Sequence, residues 1–124
     1  MLIIFKQILP HLPKEEQYDL KDQLRRSSKA IPRLIGEGYA KRHQAKGFQK
    51  YLDDAMAEAN ETKISLTQSK DLYSTYINCK LCEELIDSYD KIGRQLYKLA
   101  LSWDNFNNRN RKTKTETGYV TVTD

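Results

Sequence analysis

Apolar residues recur along most of the chain at intervals of three and four residues, which is the period of an amphipathic α-helix. The pattern predicts four helices, at residues 1–11, 13–41, 44–73 and 78–105. Pro10 and Pro13 separate the first helix from the second, whereas Pro32 falls inside the second helix without interrupting its period. Proline removes one backbone donor, so we expect a kink near Ser28–Ala30, and because the apolar period resumes beyond Pro32 we expect the helix to continue.

Each predicted helix carries its apolar residues on one face. In chain order, these faces contain Leu2, Phe5, Ile8 and Leu9; Leu20, Leu24, Ser27, Ile31, Leu34 and Gly38; Phe48, Leu52, Ala55, Ala59, Thr62, Leu66, Ser69 and Tyr73; and Leu81, Leu85, Ser88 or Tyr89, Ile92, Leu96, Leu99, Trp103 and Phe106. Helices of about 30 residues are about 45 Å long and must pack side by side. Since short connections make neighbours antiparallel, we predict an all-α fold, an antiparallel up-down-up-down four-helix bundle.

The helical period ends at Phe106, and the remaining residues have a different composition. Residues 107–124 are rich in Asn, Lys, Arg and Thr and have no sustained apolar period. We therefore predict a disordered basic C-terminal tail. The chain of 124 residues is thus expected to form one bundle over 1–106 followed by a tail over 107–124.

Several features of the sequence indicate the cellular compartment of the protein. No apolar run approaches the roughly 20 residues that a helix needs to cross a bilayer, so we expect no membrane partner. The apolar run Met1–Phe5 is too short for a signal peptide and has no cleavage site after it. Two cysteines without an export signal favour a reducing compartment, and we expect a cytoplasmic protein.

Positive charge is concentrated in the second helix and in the tail. Residues 1–42 contain nine Lys and Arg against five Asp and Glu, while the net charge of the whole chain is +4. The candidate nucleic-acid contacts are Lys21, Arg25, Arg26, Lys29 and Arg33, with Lys41 and Arg42 at the helix end and Arg109, Arg111 and Lys112 in the tail. A row of cations spaced by four residues is suited to the phosphates of RNA or DNA. A solvated face, or salt bridges between subunits, is the alternative.

Residue patterns typical of catalysis or metal binding are weak in this sequence. Cys79 and Cys82 form a Cys-x-x-Cys pair, but structural zinc needs four ligands, and packing of a small side chain accounts for Cys82. The Glu-x-x-His motif of di-iron bundles is absent. Gly36 and Gly38 lack the preceding strand of a phosphate-binding loop. We therefore predict a non-enzymatic protein with no cofactor and no metal.

One segment is similar to a known family. The run from Leu12 to Arg42 contains Pro-x-Glu-Glu-x-Tyr-x-Leu, then Arg25-Arg26, then Ile31-Pro32 and Glu37-Gly38. Further similarity comes from Phe48, Leu52, Ala55, Glu61, Ile92, Gly93 and Leu96. The chain resembles the bacterial four-helix-bundle proteins encoded in 23S rRNA intervening sequences, whose relatives include the accessory variability proteins of diversity-generating retroelements. The departures from the family pattern are Leu34, Gly36, Ala57, Glu58 and a shorter first helix.

The resemblance implies a homopentamer without enzymatic activity. It also implies, from the retroelement relatives, nucleic-acid binding and cooperation with a reverse transcriptase. Independently, the many tyrosines suit a subunit interface, where this residue is enriched: Tyr39, Tyr51, Tyr73, Tyr76, Tyr89 and Tyr97.

Two hypotheses follow. The first is an oligomeric bundle that binds an RNA or DNA backbone through its basic helix face. The alternative is an oligomeric adaptor that binds only protein partners, for example a reverse transcriptase, and uses its basic residues in subunit salt bridges.

Overall fold

The computed structural model describes the backbone of residues 1–116 and the side chains of residues 1–108. Three long helices account for most of the described chain: α1 (Leu20–Ala40), α2 (Gly47–Leu72) and α3 (Cys79–Glu116). A short N-terminal helical segment precedes them, with a π-helix at Ile4–Ile8 and a 3-10 helix at Leu9–His11. The predicted all-α, four-helix bundle is confirmed, with a first helix much shorter than the other three.

Helix α2 is the central element, because it packs along both α1 and α3. The connections over residues 41–46 and 73–78 are short, so each helix runs antiparallel to the next. The N-terminal segment packs on the first half of α1, and its Ile4 and Ile8 join a core cluster that also contains Leu24, Leu85 and Tyr89. The segment therefore takes the fourth position of the bundle over part of its length.

The N-terminal segment buries a different face from the predicted one. Ile4, Ile8 and Leu9 are buried, whereas Leu2 is 63% exposed and Phe5 is only partly buried. The wider π-helical turn, in which the Leu9 N–H donates to the Ile4 carbonyl, changes the direction of each side chain relative to an α-helix. The prediction of an α-helical apolar face that includes Leu2 is wrong for this reason.

Helix α1 begins later than predicted but continues through its internal proline. Residues Lys14–Glu16 form a separate 3-10 turn, and Asp19 has a non-helical backbone, so the α-helix begins at Leu20 and not near Pro13. Pro32 lies inside the helix, as predicted. The predicted apolar face is buried except for Leu34, which is half-buried.

The face predicted for α2 is confirmed, and small side chains in it bring α1 close. From Phe48 to Ser69 every predicted member is buried. The Thr62 hydroxyl lies 2.8 Å from the Ser27 hydroxyl of α1 and 2.9 Å from the Glu58 carbonyl oxygen, so these buried oxygens are paired. Gly38 of α1 lies against Tyr51, where an added Cβ would be 2.5 Å from the Tyr51 Cβ. Only glycine permits this approach.

Helix α3 begins as predicted and ends later. The Leu81 N–H donates to Asn78 Oδ1 at 3.1 Å, which is the expected N-cap. The helix does not end near Asn105 but continues to Glu116, so the first ten residues assigned to a disordered tail are helical. No Gly or Pro interrupts residues 107–116, and the loss of the apolar period there marks the end of burial and not of the helix. The rest of the predicted tail, 117–124, lies outside the described residues.

Within the described part of the chain, no helix has both the length and the apolar character that crossing a bilayer requires.

Candidate nucleic-acid interface

The basic residues of α1 line a groove of about 430 Å³ between α1 and α2. Four cations from α1 and two carboxylates from α2 form its walls: Arg25, Arg26, Lys29 and Arg33, and Glu58 and Glu61. Ser27 and Ala30 also line the groove and are buried, so they form its floor. We call this feature the α1–α2 groove. The side chains that line it carry two more positive than negative charges, and Asp22 and Glu37, which pair with its arginines from outside the lining, offset this excess.

The structure brings together most of the predicted row of cations but not its first member. Lys21 does not line the groove, whereas Arg26 does. Residues four apart on an α-helix differ in direction by about 40°, so the twelve residues from Lys21 to Arg33 turn the row through about 120°. Arg26 and Arg33 are seven residues apart, close to two full turns, and therefore share a face. The four-residue spacing therefore includes Lys21 wrongly, whereas the predicted contact Arg26 does line the groove.

Among the described residues the groove cations pair only along their own helix, and the pair of Arg25 with Asp22 is half-buried. Asp22 lies 3.0 Å from Arg26 and 3.7 Å from Arg25, and Glu37 lies 3.4 Å from Arg33. Lys29 is exposed and forms no ion pair with a described residue. Exposed pairs of this kind contribute about 0.2–1 kcal/mol each, so a phosphate competes with them at little cost.

Glu58 and Glu61 of α2 form the negatively charged side of the groove. Partial burial raises the pKa of Glu58, and the nearby charge of Glu61 raises it further, while Arg26 and Arg33 act in the opposite direction. Glu58 precedes Ala59 and Glu61 precedes Thr62, and both Ala59 and Thr62 are buried. A residue next to the buried face of α2 lies near α1, and this is the feature of the sequence that indicates where the two glutamates lie. Their helical spacing is that of a solvent-facing surface and does not by itself show that they lie opposite α1.

Lys41 and Arg42 lie elsewhere, at the end of α1. The Lys41 ammonium donates to the Tyr51 hydroxyl at 2.9 Å, and this bond raises the pKa of Lys41. The Arg42 guanidinium donates to the Tyr39 carbonyl at 2.9 Å and lies 4.0 Å from the Tyr39 ring centroid. Eight residues of helix, about 12 Å, separate Lys41 from Arg33. Lys41 and Arg42 therefore form a second basic site, apart from the α1–α2 groove.

The three tail cations are placed only through their backbone. Arg109, Arg111 and Lys112 belong to the last turns of α3, and their side chains lie outside those that the structure describes. Their predicted role in binding therefore stays a prediction.

The two cysteines differ in their surroundings. Cys82 is fully buried with its Sγ 3.7 Å from the Leu66 carbonyl oxygen, and burial is the main cause that raises its pKa to about 11. Cys79 is only partly buried, and both thiols are free. No group of three or more metal-ligating side chains occurs among the described residues. Cys82 is thus a small side chain packed in the core, as the sequence indicated.

Comparison with known proteins places the chain in a family. The model of the family described as 23S rRNA-intervening sequence protein matches residues 2–98, well over half of the 124 residues. The chain belongs to this family. No curated protein and no solved structure was found to match this intervening-sequence protein.

The matched segment contains the complete α1–α2 groove, while Trp103 and Phe106 of α3 lie beyond it. The resemblance of residues 12–42 to intervening-sequence proteins is therefore confirmed. The further relation to accessory proteins of retroelements stays a prediction.

Proposed function

We propose that this intervening-sequence protein is a non-enzymatic homo-oligomer that binds the backbone of RNA or DNA through the α1–α2 groove. The observation that carries the proposal is the convergence of four α1 cations on one groove that contains only two carboxylates. A guanidinium matches the geometry of a phosphate through two parallel hydrogen bonds, and Lys29 adds a compact charge between the two exposed arginines Arg26 and Arg33. Such contacts hold a backbone without reading its sequence.

Oligomerisation strengthens the same field, because each added copy contributes a net charge of +4. Support for it comes from Tyr97 on α3, because it is exposed and tyrosine is enriched at subunit interfaces. Tyr89 is buried inside the subunit and is no part of this argument. Family resemblance favours a pentamer, and the mass from light scattering at micromolar concentration tests it. A monomeric mass contradicts this part of the proposal.

The groove is tested by two matched triple variants. Arg26→Gln/Lys29→Gln/Arg33→Gln removes three groove cations, two of which form ion pairs within α1. Lys91→Gln/Arg94→Gln/Lys98→Gln removes three exposed cations of α3, two of which form ion pairs with Asp87 and Asp90. Glutamine has nearly the helix propensity of Lys and Arg, so both variants are expected to fold.

We expect the groove variant to bind oligonucleotides of unrelated sequence more weakly by one common factor, while the α3 variant keeps most of its affinity. Fluorescence anisotropy with labelled RNA and DNA measures both. An equal loss in the two variants refutes the groove as the site, since it means that net charge alone determines binding.

The adaptor alternative has one observation in its favour. Glu58 and Glu61 stand in the groove beside the cations and suit a basic residue of a second copy or of a protein partner such as a reverse transcriptase. If the groove joins subunits, the groove variant has a lower oligomeric mass in gel filtration than the α3 variant. If it binds nucleic acid, the two masses are equal.

A further inference from the structure

A row of aromatic side chains crosses the end of the bundle at which α1 finishes and α2 begins. The ring centroids of Tyr39 and Phe48 are 5.9 Å apart, those of Phe48 and Trp103 are 5.2 Å apart, and those of Trp103 and Phe106 are 6.0 Å apart. The first two pairs meet edge to face. We call these four residues the aromatic row. Each long helix contributes to it.

The short connection between α1 and α2 builds the row. Lys46 has a left-handed backbone with φ of 56°, and Gly47 lies so close to the Lys41 carbonyl oxygen that a side chain does not fit there. This tight turn places Phe48, in the first turn of α2, against Tyr39 in the last turn of α1. The row is therefore fixed by backbone geometry at its centre.

The outer members of the row are exposed although the centre is buried. Phe48 is 4% exposed and belongs to the core, whereas Tyr39 is 53% exposed and Phe106 is 47% exposed. Trp103 is half-buried between them and packs against the core. Exposed aromatic surface anchored on a rigid core is typical of a binding surface and adds little to the stability of the subunit.

The connection beside the row is positively charged, while Asp53 and Asp54 of α2 and Asp104 of α3 are the acidic residues near it. Residues 41–50 contain Lys41, Arg42, Lys46 and Lys50, all exposed, and no Asp or Glu. The Arg42 guanidinium already lies on the Tyr39 ring, so cationic and aromatic groups alternate at this end of the bundle. Three of these four cations are lysines, a residue that is depleted at protein–protein interfaces, and this argues against a second copy as the occupant.

We propose that the aromatic row stacks unpaired bases of a single-stranded nucleic acid while the cations of residues 41–50 hold its phosphates. This inference rests on the proposed function and names the class of ligand, a strand with unpaired bases. Aromatic faces beside a positively charged surface are the general means of binding single strands, because every base has a face that stacks. A duplex keeps its bases stacked inside and presents only its backbone.

The only tryptophan of the chain, Trp103, reports on the row directly. A short oligouridylate is titrated into the full-length protein, and a short RNA duplex is titrated in parallel. We expect the oligouridylate to quench the Trp103 emission as it binds, and the duplex to bind without quenching. Saturated binding of the oligouridylate without quenching overturns the proposal.

A matched pair of double variants measures the contribution of the row. Tyr39→Leu/Phe106→Leu keeps apolar side chains of helix-forming residues but removes two exposed rings. Tyr18→Leu/Tyr76→Leu removes two exposed rings from the opposite end of the bundle, where Tyr18 precedes α1 and Tyr76 follows α2. We expect the first variant to bind oligouridylate more weakly by about five-fold per lost stacked base, or about 30-fold for two, at the lower end of the stacking range. We expect the second variant to bind it normally.

Two further results overturn the proposal. If the row variant loses affinity for the duplex as much as for the single strand, the row does not select unpaired bases. If it has a lower oligomeric mass than the control variant, the row is a contact between subunits. Failure of the proposed function is distinct, because the wild-type protein then binds neither oligouridylate nor duplex.

Discussion

The close contact between α1 and α2 predicts opposite effects for two glycines on the same helix. Gly36 and Gly38 both lie in the second half of α1, two residues apart, and point to different sides. An added Cβ at Gly36 meets nothing within 4 Å. An added Cβ at Gly38 meets the Tyr51 Cβ at 2.5 Å and the Phe48 Cδ1 at 3.1 Å. Because the Tyr51 Cβ is fixed to its backbone, the two helices must move apart to admit a methyl group at Gly38.

The magnitudes follow from two opposing effects. Alanine in place of glycine inside a helix stabilises by about 0.8–1 kcal/mol, through lower entropy of the unfolded chain and higher helix propensity. Overpacking a closely packed contact destabilises by about 1–3 kcal/mol. We therefore expect Gly36→Ala to raise the free energy of unfolding by nearly 1 kcal/mol and Gly38→Ala to lower it by up to about 2 kcal/mol.

Urea denaturation followed by circular dichroism measures both variants beside the wild-type protein at one protein concentration, since oligomerisation makes stability depend on concentration. Gly93→Ala on α3 is a second control, because nothing lies within 4 Å of a Cβ there either. If Gly38→Ala is as stable as Gly36→Ala, the close approach of α1 and α2 at Tyr51 is wrong.

Two further predictions concern titratable groups. The Lys63 hydrogen bond is the main cause that lowers the pKa of Asp90, so the stability from this pair is present above the ordinary Asp pKa and is lost as pH falls through the lowered value. The difference in urea midpoint between wild type and Lys63→Gln should thus shrink in acid, and a pH-independent difference contradicts this. Iodoacetamide at mildly alkaline pH should label Cys79 alone in the native protein and also Cys82 after unfolding, because Cys82 is buried with a pKa of about 11. Equal native labelling of both thiols, measured by mass spectrometry, contradicts the core position of Cys82.

The helical period predicted the buried faces of α1 and α2 well, because burial on one face dictates it, but on α3 Leu99 and Phe106 of the predicted face are exposed. On α2 the face from Phe48 to Ser69 is buried as the spacing indicated, small polar residues included. The N-terminal segment was harder, since the change from α- to π-helical geometry moved Ile4 into the core and Leu2 out of it, and neither residue type signals that change. The end of α3 was also missed, because an unburied polar helix has no apolar period.

The candidate site was predictable in part. The cations Arg25, Lys29 and Arg33 were found from their spacing on one helix, but the groove also depends on Glu58 and Glu61 of α2, which only packing brings opposite them. The aromatic row joins residues of three helices, from Tyr39 to Phe106, through a tight turn at Gly47. Such contacts between distant parts of the chain have no signature in the periodicity of any one helix.

The salt dependence of RNA binding shows whether the α1–α2 groove holds phosphates. The logarithm of the association constant for RNA is measured against the logarithm of salt concentration for the wild-type protein and for Arg26→Gln/Lys29→Gln/Arg33→Gln. Each phosphate contact contributes about 0.7–0.9 to the slope, so loss of three contacts in a subunit should lower its magnitude by about 2–3. We expect this decrease in an oligomer of unchanged mass. An unchanged slope contradicts it and means that the α1–α2 groove does not hold the backbone.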